Sequence, residues 1–75
     1  MTDARPRKRS LTLSGHRTSV SLEDAFWHAF CRMAEDHDLS VNALATRIDV
    51  ERGASAGLAS AIRVAVLRHL EAQGE

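Results

Sequence analysis

Residues His16 to Trp27, HRTSVSLEDAFW, pass from a period-two pattern to a helical one within a few positions. In the first part Thr18, Val20 and Leu22 fall on one side of an extended chain and Arg17, Ser19 and Ser21 on the other, as a strand with one wet face requires. From Leu22 onward Ala25, Phe26, Ala29, Phe30 and Met33 recur three and four apart, forming one stripe of a helix that runs to about His37. A strand running from Arg17 to Ser21 cannot satisfy its backbone alone, so its partner must come from the same chain or from another one. That requirement constrains the fold more than any other feature.

Two alternating runs are available, Leu11 to Leu13 and Arg17 to Leu22, separated by Ser14-Gly15-His16. They read either as a hairpin around Gly15 or as one real strand at Arg17–Ser21 preceded by an extended arm. The single strand is the preferred reading, and a second copy of the chain then completes the ribbon. Residues 1–10, MTDARPRKRS, are polar, hold the only proline and lack periodicity; they are expected to be a mobile basic arm preceding a domain of residues 11–75.

Ser21, followed by Leu22-Glu23-Asp24, is the expected N-cap of the first helix, with acids at the positive end of its dipole. Trp27 and Cys31 lie off the main stripe and mark a second buried face. Ser40 is the expected cap of a short second helix whose inward positions are Leu44 and Ile48. The stretch ERGASAGLAS breaks the chain before a last helix from about Ala56 or Leu58 to Ala72. Its main face carries Leu58, Ala61, Ile62, Ala65, Val66, His69 and Leu70, and Val64 and Leu67 widen it. So wide an apolar face calls for more than one neighbour.

A chain of 75 residues is one small domain, and with Cys31 as the only cysteine it has no internal disulfide to support it. Oligomerisation is the usual remedy at this size. No apolar run is long enough to span a membrane, the basic start is not followed by a signal-peptide core, and the free thiol suits a reducing compartment. A cytoplasmic location is expected. The net charge is zero, but Met1 to Ser21 carry +4 and Leu22 to Glu75 carry −4, so a basic ribbon joins an acidic helical body.

The order strand, helix, Ser-Val-Asn, helix in RTSVSLEDAFWHAFCRMAEDHDLSVNALATRID resembles the ribbon-helix-helix family of the Arc and MetJ type, over roughly residues 17 to 50. The resemblance implies a mainly α fold with a short β-ribbon, an intertwined homodimer, here with an additional C-terminal helix. It implies that the ribbon enters the major groove of double-stranded DNA, with Arg17, Ser19 and Ser21 facing base edges. It implies a backbone phosphate at the start of the second helix, on Ser40, Val41 and Asn42. The dimer core would hold Val20, Phe26, Phe30, Leu44 and Ile48. LASAIRVAVLRHL also resembles the second helix of many members, which leaves residues 40–57 as an elaborated connection in the alternative assignment.

Arg5, Arg7, Lys8 and Arg9 are expected to track phosphates from the arm. The function these readings imply is a repressor or the DNA-binding part of an antitoxin, partnered by itself, by DNA and by a protein such as a toxin. A dimerisation module that binds protein through its acidic half is the alternative. No enzyme and no cofactor are expected. His28 and Cys31 stand three apart on a helix but lack a second pair for four-coordinate zinc, and GASAG lacks the lysine and strand of a phosphate loop.

Overall fold

The computed structural model describes residues 4–53 and 56–74. Two strands, β1 (Arg7–Leu13) and β2 (His16–Leu22), pair antiparallel and are followed by α1 (Asp24–Asp36), α2 (Val41–Glu51) and α3 (Leu58–Gln73). The hairpin is therefore real, and the strand expected to wait for a second chain finds its partner in its own. Ser14 and Gly15 make this possible, since both adopt positive φ, 52° and 84°, in the two-residue turn whose twist matches the strands.

Two expectations about the N-terminal region change accordingly. Residues 1–3 of the expected arm lie outside the described residues, and Arg7–Ser10 belong to β1 rather than to an arm. The polar-apolar alternation of Lys8-Arg9-Ser10-Leu11-Thr12-Leu13 was concealed by the basic run, because Arg9 occupies an inward position that a hydrophobic residue normally marks. Ser21 likewise does not cap α1. It stays in β2, and Glu23 is the N-cap residue, making no side-chain cap bond.

The inner face of the hairpin supplies Leu11, Val20 and Leu22 to the core. Phe30, Met33 and Ala34 come from α1, Leu44, Ala45 and Ile48 from α2, and Ile62 and Val66 from α3, all in one buried cluster. Of the residues assigned to a dimer core, Val20, Phe30, Leu44 and Ile48 are buried within the single chain, and Phe26 is half-buried with the Arg63 guanidinium over its ring. α3 supplies the apolar surface against them. Each fully buried side chain of this size contributes roughly 1.5 to 3 kcal/mol, so the core does not require a second chain to exclude water from these positions.

α2 begins as expected, with Ser40 Oγ accepting the Ala43 N–H at 3.0 Å, and Leu44 and Ile48 face inward. α3 is fastened at both ends. Arg63 donates to Glu23 Oε1 at 2.9 and 3.0 Å, and Asp36 Oδ2 lies 2.9 Å from His69 Nε2 and accepts from Gln73 Nε2 at 3.0 Å. One face of α3 remains uncovered: Val64, Leu67 and Leu70 are 46%, 55% and 50% exposed. Leu70, expected inside, lies on this outer face. Among the described residues no helix is long and apolar enough to cross a membrane.

Candidate nucleic-acid interface

The register of the hairpin decides which side chains share its outer surface. Lys8 lies opposite Ser21, Ser10 opposite Ser19 and Thr12 opposite Arg17, and directly opposed residues of an antiparallel pair point to the same face. All six are exposed. This surface carries two cations and four hydroxyls and no carboxylate, while its reverse is seated on the core. Arg17, Ser19 and Ser21, the three expected base-contacting residues, are thus brought together. Ser10 and Thr12 join them, and Lys8 lies among them rather than on an arm. Sequence reasoning missed this half of the surface, although the alternation from Lys8 to Leu13 and the Ser-Gly turn both pointed to it.

The backbone hydrogen-bonding pattern follows from the turn. In a two-residue hairpin the closing pair, Leu13 with His16, is hydrogen-bonded, so every second rung after it is not. Those other rungs are the three that carry the outer side chains, and their backbone groups point sideways out of the ribbon. On the β1 edge the Thr12 N–H is taken by Asn42 Oδ1 at 3.0 Å, and on the β2 edge the Ser21 carbonyl accepts from Arg63 at 3.3 Å. The start of α2 therefore lies against the flank of the ribbon, close to the rung that holds Arg17. Of the first N–H groups of α2, that of Ala43 is committed to Ser40 Oγ, and those of Val41 and Asn42 are the orphan donors every helix start presents.

The four arginines and lysines expected to track phosphates divide by strand parity. Lys8 faces outward, whereas Arg7 and Arg9 fall on the inner side, where both pair with the Asp24 carboxylate, Arg7 at 3.6 Å. Arg9 also lies 5.4 Å from the centre of the Trp27 ring, with only 19% of its side chain exposed. That placement makes Arg9 a bolt between the hairpin and α1, not a groping surface cation: the alternation of the strand and the carboxylate at the helix start hold it inward. Arg5 is exposed and precedes the strand.

The Glu23 carboxyl is held below its ordinary 4.5 by a backbone N–H of its own residue first and by Arg63 second. Burial, aided by the nearby Glu35 carboxylate, pushes the half-buried Cys31 thiol up, away from the thiolate a nucleophile needs. Among the described residues no three His, Cys, Asp or Glu side chains cluster so as to hold a metal ion.

A family model described as a ribbon-helix-helix domain matches residues 6–70, from the start of β1 to near the end of α3. The chain belongs to the ribbon-helix-helix domain family. Members are commonly DNA-binding regulators and typically form dimers, on a fold that is regulatory rather than enzymatic. Comparison with curated proteins and with solved structures returned no match. The ribbon-helix-helix match reaches across all three helices, so α3 is part of the matched domain and not an appendage beyond it.

Proposed function

We propose that this ribbon-helix-helix protein is a dimeric, sequence-specific DNA-binding transcriptional regulator, a repressor or an antitoxin's DNA-binding part, that lays its β-hairpin in the major groove. The observation that carries this reading is the outer face of the hairpin: six exposed polar side chains, two of them cationic and none acidic, flanked by the start of α2. The major groove, about 12 Å wide, admits a two-stranded ribbon. Arg17 forks onto guanine O6 and N7, and Ser19 and Ser21 donate to or accept from neighbouring base edges. Because Ser21 is not occupied as a helix cap, its hydroxyl is available for this. The Val41 and Asn42 N–H groups, with Ser40 beside them, meet a backbone phosphate, and Arg5, which precedes the ribbon, meets another.

The dimer rests on the uncovered face of α3. Val64 and Leu70 lie three residues either side of Leu67, so an antiparallel copy of α3 centred on Leu67 sets each valine against a leucine and leucine against leucine. A surface that matches itself under a two-fold rotation is what an isologous interface requires. The alternative reading is a dimerisation module that binds a protein such as a toxin through its acidic helical half, without DNA.

Salt separates the two. A binding titration against a selected duplex and a scrambled one, at several salt concentrations, is expected to show affinity falling steeply with salt for both and a preference for the selected site. Absence of salt-dependent binding to any duplex would overturn the regulator reading in favour of the protein-binding module.

A further inference from the structure

We infer that the cleft between α1 and α3 is a binding site for a small zwitterion with an apolar side chain, of the chemical class of the free aliphatic α-amino acids. The cleft has a volume of about 350 Å³, at the lower end of the range in which small-molecule sites fall. No residue of the hairpin lines it, so it is separate from the surface proposed to meet DNA.

The floor of the cleft is apolar and owes its depth to small residues. Ala25 and Ala29 stand one turn apart on α1, and their methyl groups leave between the helices the space that longer side chains would fill. Buried Met33 of α1 and half-exposed Leu70 of α3 bound that space. An aliphatic chain laid there covers apolar surface that water now meets.

The rim carries two charges that do not neutralise each other. Arg32 and Asp36 are four residues apart on one face of α1, the spacing at which opposite charges on a helix ordinarily pair. Asp36 instead engages α3, where its Oδ2 lies 2.9 Å from His69 Nε2 and accepts from Gln73 Nε2 at 3.0 Å. Arg32 is exposed and has no carboxylate or hydrogen-bond partner among the described residues. The bond to His69 first, and that to Gln73 second, hold the Asp36 carboxyl below its ordinary 3.8, so it is an anion at neutral pH. His28, one turn before Arg32, adds an imidazole on the cationic side.

Along the helix the two charged residues are about 6 Å apart. An α-amino acid carries on one carbon the complement of both: a carboxylate for the Arg32 fork and an ammonium for the second oxygen of Asp36. Its side chain then falls on the alanine floor. A carboxylate lacking the ammonium would set a like charge beside Asp36, and an amine lacking the carboxylate would set one beside Arg32, so the chemistry of the rim selects a zwitterion.

The test is to titrate the isotope-labelled full chain with glycine, L-valine, L-leucine and L-methionine at millimolar concentration while following its backbone amide signals. The N-acetyl and amide forms of whichever binds are then titrated in the same way. Saturable shifts centred on Ala29, Arg32, Met33 and Leu70 are expected for at least one of the aliphatic amino acids, and weaker binding of glycine. Affinity should fall roughly tenfold or more when either the ammonium or the carboxylate is blocked. Arg32→Gln, at an exposed position where circular dichroism checks that the fold is intact, should weaken the amino acid by a similar factor and no longer distinguish it from its amide. Asp36→Asn should no longer distinguish it from its N-acetyl form. No saturable shift with any of these amino acids, shifts centred elsewhere, equal affinity for the blocked forms, or unchanged binding by Arg32→Gln would overturn the inference.

Discussion

Asn42 Oδ1 accepts the backbone N–H of Thr12 at 3.0 Å, so the first turn of α2 closes the outer edge of β1. An exposed strand edge with unpaired amides invites pairing with other chains, and this side-chain amide acts on the β1 edge as an adjacent strand would. The same bond sets the position of the α2 start relative to the rung of Thr12 and Arg17. Asn42→Ala is expected to cost about 1 kcal/mol in denaturant unfolding, and to accelerate hydrogen exchange of the Thr12 amide more than that of its β1 neighbours. Unchanged exchange at Thr12 would show that the edge is held by something other than Asn42.

Phe30 has no exposed surface and sits where the hairpin, α1, α2 and α3 meet. Phe30→Ala is expected to destabilise by about 3 to 5 kcal/mol. Since the residues around it belong to one chain, that cost should be the same at low and high protein concentration in equilibrium unfolding. A cost that grows with concentration would mean that Phe30 packs across a subunit boundary.

How much of this was legible depends on whether a signal was carried by one residue or by an alignment of many. The helices were readable because three- and four-residue spacings repeat through Phe26, Phe30 and Met33 and again through Ile62 and Val66, and because Ser40 is a strong cap. β1 was not, since its inner row is Arg7-Arg9-Leu11-Leu13 and two arginines in core-facing positions imitate a solvated arm. Only the location of Asp24 and Trp27 in space, fifteen and more residues away, explains how a cation can occupy that row. The outer face was half legible for the same reason: Arg17, Ser19 and Ser21 follow from β2 alone, whereas Lys8, Ser10 and Thr12 require the register. The spacing of α3 put Ile62 and Val66 on its main face and Val64 and Leu67 beside it, but the same spacing counted Leu70 with the inward residues, and Leu70 stays outside.

Glu23 and Asp36 clamp the two ends of α3, and both carboxyls are held below their ordinary values of 4.5 and 3.8. For Glu23 the first cause is its own backbone N–H and the second is Arg63; for Asp36 it is the bond to His69, then that to Gln73. A carboxyl whose folded value is depressed favours the folded state above its unfolded value and ceases to do so as pH falls through the folded one. Thermal stability of the wild type is therefore expected to begin falling as pH drops toward 4.5 and to fall further through and below 3.8. Glu23→Gln and Asp36→Asn should each flatten that decline. A melting temperature of the double variant that keeps the full acid dependence would place the sensitive groups elsewhere.

Leu67 is the centre of the uncovered stripe on α3, with 55% of its surface exposed and Val64 and Leu70 symmetrically about it. In an antiparallel pair of α3 helices it meets its own copy, so Leu67→Glu sets two like charges in contact and removes the largest central apolar contact at once. Because the side chain makes no part of the buried cluster, the substitution leaves the core of each chain unaltered. Light scattering is expected to give a dimer for wild type and a monomer for Leu67→Glu, with circular dichroism unchanged. DNA affinity should fall in the variant, since a site bound by two linked ribbons is bound more tightly than one bound by a single ribbon, while the base preference within each half-site persists. A variant that remains dimeric would move the interface away from α3, to the free edge of β2 or to the helices beneath it.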